Sequence, residues 1–371
     1  MKIIIIGRGN AGCISAMHFA HFRHKLSTKI EIELIFDSKI KPVPTGQGTT
    51  LQFPNWLFYN FGSNFLKKFP MTLKTGIMYE NWGEKNKEIF HPFPLGTYAL
   101  HFSPDEFQNY VCNNLNIDFK ERDENIKNYD ELDADYIIDC RGKPSTLENY
   151  NTLVNPLNCA LLANIPKKEN DVQWTKCVAT PDGWCFYIPL PEKTSIGYLY
   201  NTKITSLQKA QENFKQLFNV DDVDHVFPFN QYLAKEPIIE DRVLLNGNKL
   251  FFLEPLEATA MGSYVKICQF YYSYIFDDKN KEDTKKLIND WVYKLQDFIL
   301  YHYYAGSQYK TKFWETARDL YIKTPTPYLD KELKIIKGMS DLDLQRTYSN
   351  SAEWALWPPF SIKQWHDEAI S

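Results

Sequence analysis

The chain opens on Ile3 to Ile6, four β-branched residues in a row. Such a run reads as a strand covered on both faces, as in a parallel sheet. Glycines 7, 9 and 12 follow at once, and Cys13 to Arg23 then reads as a helix with Ile14, Met17, His18 and His21 along one side. Ile30 to Phe36 alternates with period two, a second strand that ends at Asp37. Pro42 to Phe53 is a loop by its Pro, Gly and Thr content. Leu73 to Tyr79 alternates again, which predicts one strand with Thr72, Lys74, Gly76 and Met78 on one face and Leu73, Thr75, Ile77 and Tyr79 on the other. Phe90 to Phe102 is rich in aromatics. Asp105 to Leu115 reads as a short helix capped by Ser103, with Pro104 at its first position. Further along, Tyr136 to Asp139, Phe186 to Leu190 and Ser195 to Tyr200 read as strands, Leu207 to Phe218 as a helix, and Asp283 to Tyr304 as a long amphipathic helix or a pair. The pattern is α/β through most of the chain and turns helical toward its end, with no internal repeat and no low-complexity linker.

The first glycines sit between a strand and a helix, in the sequence Gly7-Arg8-Gly9-Asn10-Ala11-Gly12. That is the context in which G-x-G-x-x-G signals dinucleotide binding. Gly7 permits the tight turn, Gly9 lets the backbone approach a pyrophosphate, and Gly12 lets helix and strand pack closely. The helix N-terminus then faces the phosphates. Asp37, at the end of the second strand and 25 residues beyond Gly12, is placed to bind a ribose hydroxyl. The fingerprint does not separate NAD from FAD.

Composition narrows the class. The chain has 371 residues, 44% hydrophobic and 24% charged, with a formal net charge of -4. This fits a globular protein with a sizeable core and calls for neither nucleic acid nor an anionic membrane as partner. No stretch approaches the ~20 apolar residues of a membrane span, and the start lacks the long apolar core of a secretory signal. Seven cysteines without a CxxC argue against a disulfide scaffold and a zinc site, and for a reducing, cytoplasmic setting. Aromatics reach 15%, and glycine is scarce, 16 in all. Three of those sixteen build the phosphate turn.

Three further segments, taken with the glycine turn, resemble the flavin-dependent halogenases of the tryptophan-halogenase type. Leu73-Lys74-Thr75-Gly76-Ile77 followed by Asn81-Trp82 is similar to the family's lysine-bearing strand. Gly183-Trp184-Cys185-Phe186-Tyr187-Ile188-Pro189-Leu190 is similar to its W-x-W-x-I-P signature, with Phe186 for the second Trp. Phe252-Leu253-Glu254-Pro255-Leu256-Glu257-Ala258-Thr259-Ala260 is similar to its E-P-L-E-S-T-G, with Ala258 for Ser and Ala260 for Gly. Asp139-Cys140-Arg141-Gly142 and Phe298 to Tyr303 with Phe313-Trp314 add support, all in the same order along the chain.

The resemblance implies an α/β, Rossmann-type FAD-binding fold of the flavin monooxygenase-like box kind, with a mainly helical C-terminal substrate region. A box over 1–265 and a helical region over 266–371 are expected. It implies reduced FAD, O2 and a halide as reactants, a separate NAD(P)H-dependent flavin reductase as partner, and an indole- or phenol-like aromatic substrate. A homo-oligomer is compatible with this. In the family, hypohalous acid forms at the flavin and travels to the substrate. Lys74 would hold or capture it there, and Glu257 would orient it or take the proton from the halogenated ring, with Glu254 the structural neighbour. Thr259 and the amide of Ala260 would bind halide, and the alanines at 258 and 260 leave room for a larger one. Gly7, Gly9, Asn10, Ala11, Gly12, Asp37, Gly48, Asn248 and Thr259 would contact FAD. In the loop Gly46-Gln47-Gly48-Thr49-Thr50 the family's acid is missing. His91 and Phe93 would stack on the substrate, with His101 competing for the role of His91. Trp184 and Phe186 would stand beside the passage from flavin to substrate. The chain is shorter than many such proteins, so a more open substrate side is expected, with the aromatic stretch 348–365 as its remaining wall. A flavin-dependent aromatic monooxygenase and a non-catalytic dinucleotide-binding protein are the alternatives.

Overall fold

The computed structural model describes residues 1–23, 29–122, 126–167, 172–220, 223–340, 342–344, 346 and 356–370. The opening isoleucines form the strand Lys2–Ile6, buried on both faces as their branching requires. It lies at the centre of a six-stranded sheet, paired in parallel with Glu31–Phe36 on one side and Tyr136–Asp139 on the other. Asp118–Glu121 and Val243–Leu245 extend the parallel array, and Ile238–Ile239 closes one edge antiparallel. The helix Asn10–Phe22 packs on this sheet.

A second sheet of seven strands carries Tyr79 and His91. Its order is His225–Pro228, Cys159–Pro166, Lys193–Tyr200, Gly183–Pro189, Thr175–Thr180, Gly76–Glu80, Glu88–Pro92. All neighbours are antiparallel except Thr175–Thr180 with Gly76–Glu80. Helices Thr259–Phe276, Lys281–Ala305, Lys312–Lys323 and Pro327–Lys337 follow in succession. The long segment near 283–304 is one helix of 25 residues, opened by the Asn280 side chain on the amide of Asp283 and closed at Gly306, whose φ is 72°. The expected border at residue 265 falls inside the helix Thr259–Phe276, and we propose the start of that helix as the point where the chain turns helical. No helix among the described residues is long and apolar enough to cross a membrane.

Three local expectations are corrected. The strand expected over Leu73–Tyr79 is two strands, Thr72–Lys74 and Gly76–Glu80, in different sheets. Thr75 breaks them: its N–H donates to the Gln173 carbonyl (2.7 Å) and its own carbonyl accepts from Phe93 (2.9 Å). The inward face therefore changes parity, with Lys74 buried before the break and Ile77 and Tyr79 buried after it. The loop expected over Pro42–Phe53 contributes a short strand, Gln47–Gly48, paired with Ala99–Phe102, which also pairs with Thr72–Lys74. Gly46 is fastened to the large sheet by its N–H on Ser195 Oγ (2.8 Å). Ser103 precedes the helix Pro104–Asn114 as expected, yet its side chain makes no capping bond.

The three glycines of the turn differ in what surrounds them. A Cβ on Gly12 would fall 1.8 Å from the Gly7 carbonyl oxygen, and one on Gly7, at φ 102°, 3.1 Å from the Cys140 backbone. A Cβ on Gly9 would meet nothing within 4 Å. Gly12→Ala is therefore expected to destabilise the fold by roughly 2–4 kcal/mol through overpacking. Gly9→Ala should leave stability within about 0.5 kcal/mol and weaken FAD binding. Urea denaturation and FAD titration of the two variants test this; equal stability losses would refute the packing argument.

Candidate active site

At the dinucleotide end, the helix Asn10–Phe22 begins at Gly9 with no side-chain cap, so its first-turn amides are left for an anion. With the clear space at Gly9, this end fits a pyrophosphate. Asn10 accepts from Gln108 Nε2 (3.5 Å), and Ala11 lies hard against Gly247, where an added Cβ would come within 2.5 Å. Asp37 Oδ1 accepts from the Lys39 amide (2.9 Å), and Asn248 Oδ1 from the Tyr264 hydroxyl (3.1 Å). The carbonyl of the Asn248 side chain is thus engaged within the protein.

The short sheet carries Lys74 inward. Its side chain is 2% exposed, and Nζ donates to the Thr49 carbonyl (3.4 Å) while standing 5.6 Å from the centre of the Phe93 ring. No carboxylate pairs with it directly among the described residues. Burial pushes its ammonium down to about 8, against the opposing pull of the Glu257 charge. Gly48 lies between the two acid–base elements: a Cβ there would be 3.5 Å from Lys74 Nζ and 3.4 Å from Ala258 Cβ. His101 flanks the same point, 3.7 Å away, with Nε2 on Thr175 Oγ1 (2.7 Å).

Glu257 and Ala258 both adopt left-handed backbone, at φ 67° and 51°. The turn aims the Glu257 carboxylate into the protein just before the helix Thr259–Phe276 begins. Oε1 accepts from the Tyr79 hydroxyl and contacts His302 Nε2 (2.9 Å); Oε2 accepts from Trp357 Nε1 (2.7 Å). His302 Nδ1 lies 2.8 Å from the Phe298 carbonyl, which can only accept, so Nδ1 carries a proton. The Trp365 ring lies against His302, with ring centres 4.3 Å apart and planes tilted by 33°, and its own N–H has no partner among the described residues.

The expected open substrate side is not what the structure shows. The described residues leave only about 10 Å³ beside Glu257, bounded by Tyr79, His91, Phe298, His302, Ser361 and Trp365. Of the expected aromatic wall over 348–365, residues 348–355 lie outside the described residues, while Trp357 and Trp365 pack beside Glu257. A larger cavity of about 270 Å³ opens between Thr50, Trp56, Gly262, Lys266, Trp291 and Leu356.

Of the expected substrate residues, His91 lines the Glu257 cavity, its Nε2 2.9 Å from Ser361 Oγ, and Phe93 lies toward Lys74. Burial, Lys74 and His302 push the His91 imidazolium down to about 4, so the ring is neutral. Trp184 and Phe186 are core residues of the large sheet. Phe186 covers Gly197, where a Cβ would come within 2.2 Å of its ring, and Trp184 Nε1 donates to Glu254 Oε2 (3.1 Å). Tyr303 donates to the same oxygen (2.8 Å), while Glu254 Oε1 has no partner among the described residues. Burial raises the Glu254 carboxyl to about 7. Thr259 is buried at the first position of its helix, and Ala260 follows it, partly covered. Sequence reasoning missed Tyr79, His302 and Trp357 as ligands of the Glu257 carboxylate. The alternation through Tyr79 and the Phe298-to-Tyr303 similarity were visible, but neither says where a side chain ends.

Comparison with known proteins bears on this arrangement. The Tryptophan halogenase family model matches residues 2–129 and 123–348. Tryptophan 7-halogenase KtzQ from Kutzneria sp. (strain 744) is 24% identical over 268 residues, covering 61% of this chain and 49% of that protein. Tryptophan 7-halogenase RebH from Lentzea aerocolonigenes is 24% identical over 245 residues, 58% of this chain and 42% of its own. The chain thus aligns with half or less of these two curated relatives. Among solved structures, a tryptophan halogenase from Shewanella frigidimarina NCIMB 400 superposes with a TM-score of 0.79 at 18% identity, covering 100% of this chain and 89% of the other. BrvH, a flavin-dependent halogenase from Brevundimonas sp. BAL3, does so at 0.72 and 16%, over 90% and 84%. At these identities the likeness is one of fold.

Two titrations test the electrostatics. Lys74 should titrate near pH 8 by NMR of its side chain, apart from the surface lysines near ~10.4. Glu257→Gln should move that midpoint lower still, because the carboxylate favours the ammonium; an upward move contradicts the coupling. For Glu254, a native value of about 7 lies above the unfolded 4.5, so the native state holds more protons between them. Stability therefore falls as pH rises through that window, by on the order of 3 kcal/mol. In Glu254→Gln this loss should vanish, measured by urea denaturation at both ends of the window.

Proposed function

Since this chain belongs to the tryptophan halogenase family, we propose that it is an FADH2- and O2-dependent halogenase acting on an electron-rich aromatic, indole- or phenol-like. The observation that carries the reading is a buried ammonium, free of any direct carboxylate partner among the described residues, set across Gly48 and Ala258 from a buried carboxylate. Burying an unpaired ammonium is costly and needs a reason beyond stability.

FAD held at the glycine turn, reduced and with O2, would supply the oxidising equivalent that converts halide to hypohalous acid. Thr259 and the Ala260 amide, at the start of their helix, would hold the halide. Lys74 then receives the hypohalous acid. Its depressed pKa leaves part of the amine neutral at neutral pH. The nitrogen lone pair can bond halogen as the halogen–oxygen bond breaks, with the amine proton leaving in water. Alternatively, the ammonium holds the acid by a hydrogen bond. The ring carbon next bonds the halogen as the nitrogen–halogen bond breaks and its electron pair returns to Lys74. For the hydrogen-bonded acid, the oxygen–halogen bond breaks instead, and the oxygen leaves as water with a proton from the ammonium. In both cases Glu257 takes the proton from the ring carbon. Tyr79, His302 and Trp357 fix the carboxylate for this step, and the surrounding rings exclude water. His91 and Phe93 would hold the flat substrate by stacking. Because the cavity beside Glu257 is about 10 Å³, a substrate ring that enters it must displace a lining side chain such as Trp365.

A separate flavin reductase is part of the proposal, since the sequence carries one dinucleotide fingerprint. An aromatic monooxygenase would give the buried lysine no task. The test is aerobic turnover with a flavin reductase, NADH, FAD and each halide over an indole and phenol panel, read by mass spectrometry. Halogenated product is expected, with bromide or iodide preferred over chloride. Lys74→Ala and Glu257→Gln should each lose at least ~100-fold in rate with FAD affinity kept. Hydroxylated product alone, or Lys74→Ala at the wild-type rate, overturns the reading.

A further inference from the structure

An indole of the chain itself sits on the carboxylate to which the reaction above assigns the proton transfer. Trp357 is buried, donates its Nε1–H to Glu257 Oε2 (2.7 Å), and lies 4.2 Å from the Phe298 ring, centre to centre. The segment that carries it is pinned to the site. Pro359 opens the helix Pro359–Trp365, whose Ser361 Oγ meets His91 Nε2 (2.9 Å) and whose Gln364 Nε2 donates to the Phe90 carbonyl (3.0 Å). Other indoles are placed differently. Trp82 and Trp314 donate to backbone carbonyls, Trp291 donates to the Ser263 hydroxyl, and the N–H of Trp365 has no partner among the described residues. Trp184 also reaches a carboxylate, but that of Glu254. A carboxylate bound to the indole N–H leaves the ring richer in electrons toward an electrophile. The ring carbons that flank the nitrogen, C2 and C7, are by covalent geometry the ones nearest Oε2. The turn that presents Glu257 also sets Ala258 beside Gly48 and Lys74. Base, ring and halogen carrier are thus gathered at one turn.

We propose that Trp357 is an automodification site: without an outside substrate, the protein halogenates this residue at C2 or C7. The inference rests on the halogenase reading above. The indole carbon bonds the halogen as the nitrogen–halogen bond breaks and its electron pair returns to Lys74. For a hydrogen-bonded hypohalous acid, the oxygen–halogen bond breaks instead and the oxygen leaves as water with a proton from the ammonium. The proton on the halogenated carbon passes to Glu257. In sum, one hypohalous acid and one C–H bond give one C–halogen bond and one water. Because the ring is buried and packed on Phe298, the added halogen overfills the site and slows later turnovers.

The full chain is turned over aerobically with a flavin reductase, NADH, FAD and bromide, with excess methionine to consume free hypobromous acid. It is then digested and mapped by mass spectrometry. One bromine in place of one hydrogen is expected on Trp357, in at least ~10-fold excess over any other tryptophan. Complete digestion should release the 2- or 7-bromo isomer. Hypobromite added directly, without methionine, should instead mark the partly exposed Trp56. Lys74→Ala should lower the Trp357 signal at least ~100-fold, and W357F should not pass the bromine to Trp365. The rate on an added indole should fall as the bromine content of the wild-type chain rises. Bromination of that indole with Trp357 untouched overturns the inference alone, as does equal labelling of Trp357 in Lys74→Ala. A 4-, 5- or 6-bromo isomer overturns Glu257 as the base for this ring. Bromine on neither protein nor indole overturns the halogenase reading and the inference together. The map of the wild-type chain decides the matter even where W357F does not fold.

Discussion

One buried carboxylate, Glu257, organises the site. Its three partners come from separate parts of the fold: Tyr79 from the large sheet, His302 from the long helix and Trp357 from the C-terminal segment. Two consecutive left-handed residues present it, and such backbone costs of order 1–3 kcal/mol each. Hydrogen bonds to an ionised group are worth about 1.5–3 kcal/mol each. Three of them can hold the strained turn, and losing one would leave a buried charge short of a partner. The carboxylate therefore closes the sheet, helix and tail around one point.

The other half of the site is set by a break. Had Leu73 to Tyr79 stayed one strand, Lys74 and Tyr79 would lie on opposite faces. The interruption at Thr75 moves the chain from the short sheet to the large one and resets its parity, so both side chains turn inward. Gly48 lies between Lys74 and Ala258, within van der Waals reach of both Lys74 Nζ and Ala258 Cβ. An amine that burial weakens and a carboxylate that three donors steady thus end near each other without forming an ion pair. A direct pair would neutralise both and leave neither for a substrate.

Much of this was legible beforehand in local pattern. The buried isoleucine strand, the glycine turn and the helix at 207–218 follow from periodicity and steric need, and the structure has them where expected. Lys74, Glu257, Thr259 and Gly48 were marked by motif similarity, and the fold brings Lys74, Gly48 and the Glu257–Thr259 turn to one region. The strand break at Thr75 was not legible, because alternation looks the same on either side of a one-residue interruption. Nor was the narrowness of the substrate side: the aromatic stretch 348–365 was expected as a wall, but pattern alone does not say how closely Trp357 and Trp365 pack on Glu257 and His302.

The sequence by itself determined which residues could do chemistry and the local shapes that carry them, because steric and period rules act over a few neighbouring residues. Only the tertiary structure decided which of them meet. Tyr79, Glu257, His302 and Trp357 are scattered through the chain, and their convergence depends on how sheets and helices pack. So do the desolvation that lowers Lys74 and the burial that raises Glu254. Those are properties of surroundings, and surroundings exist only once the chain has folded.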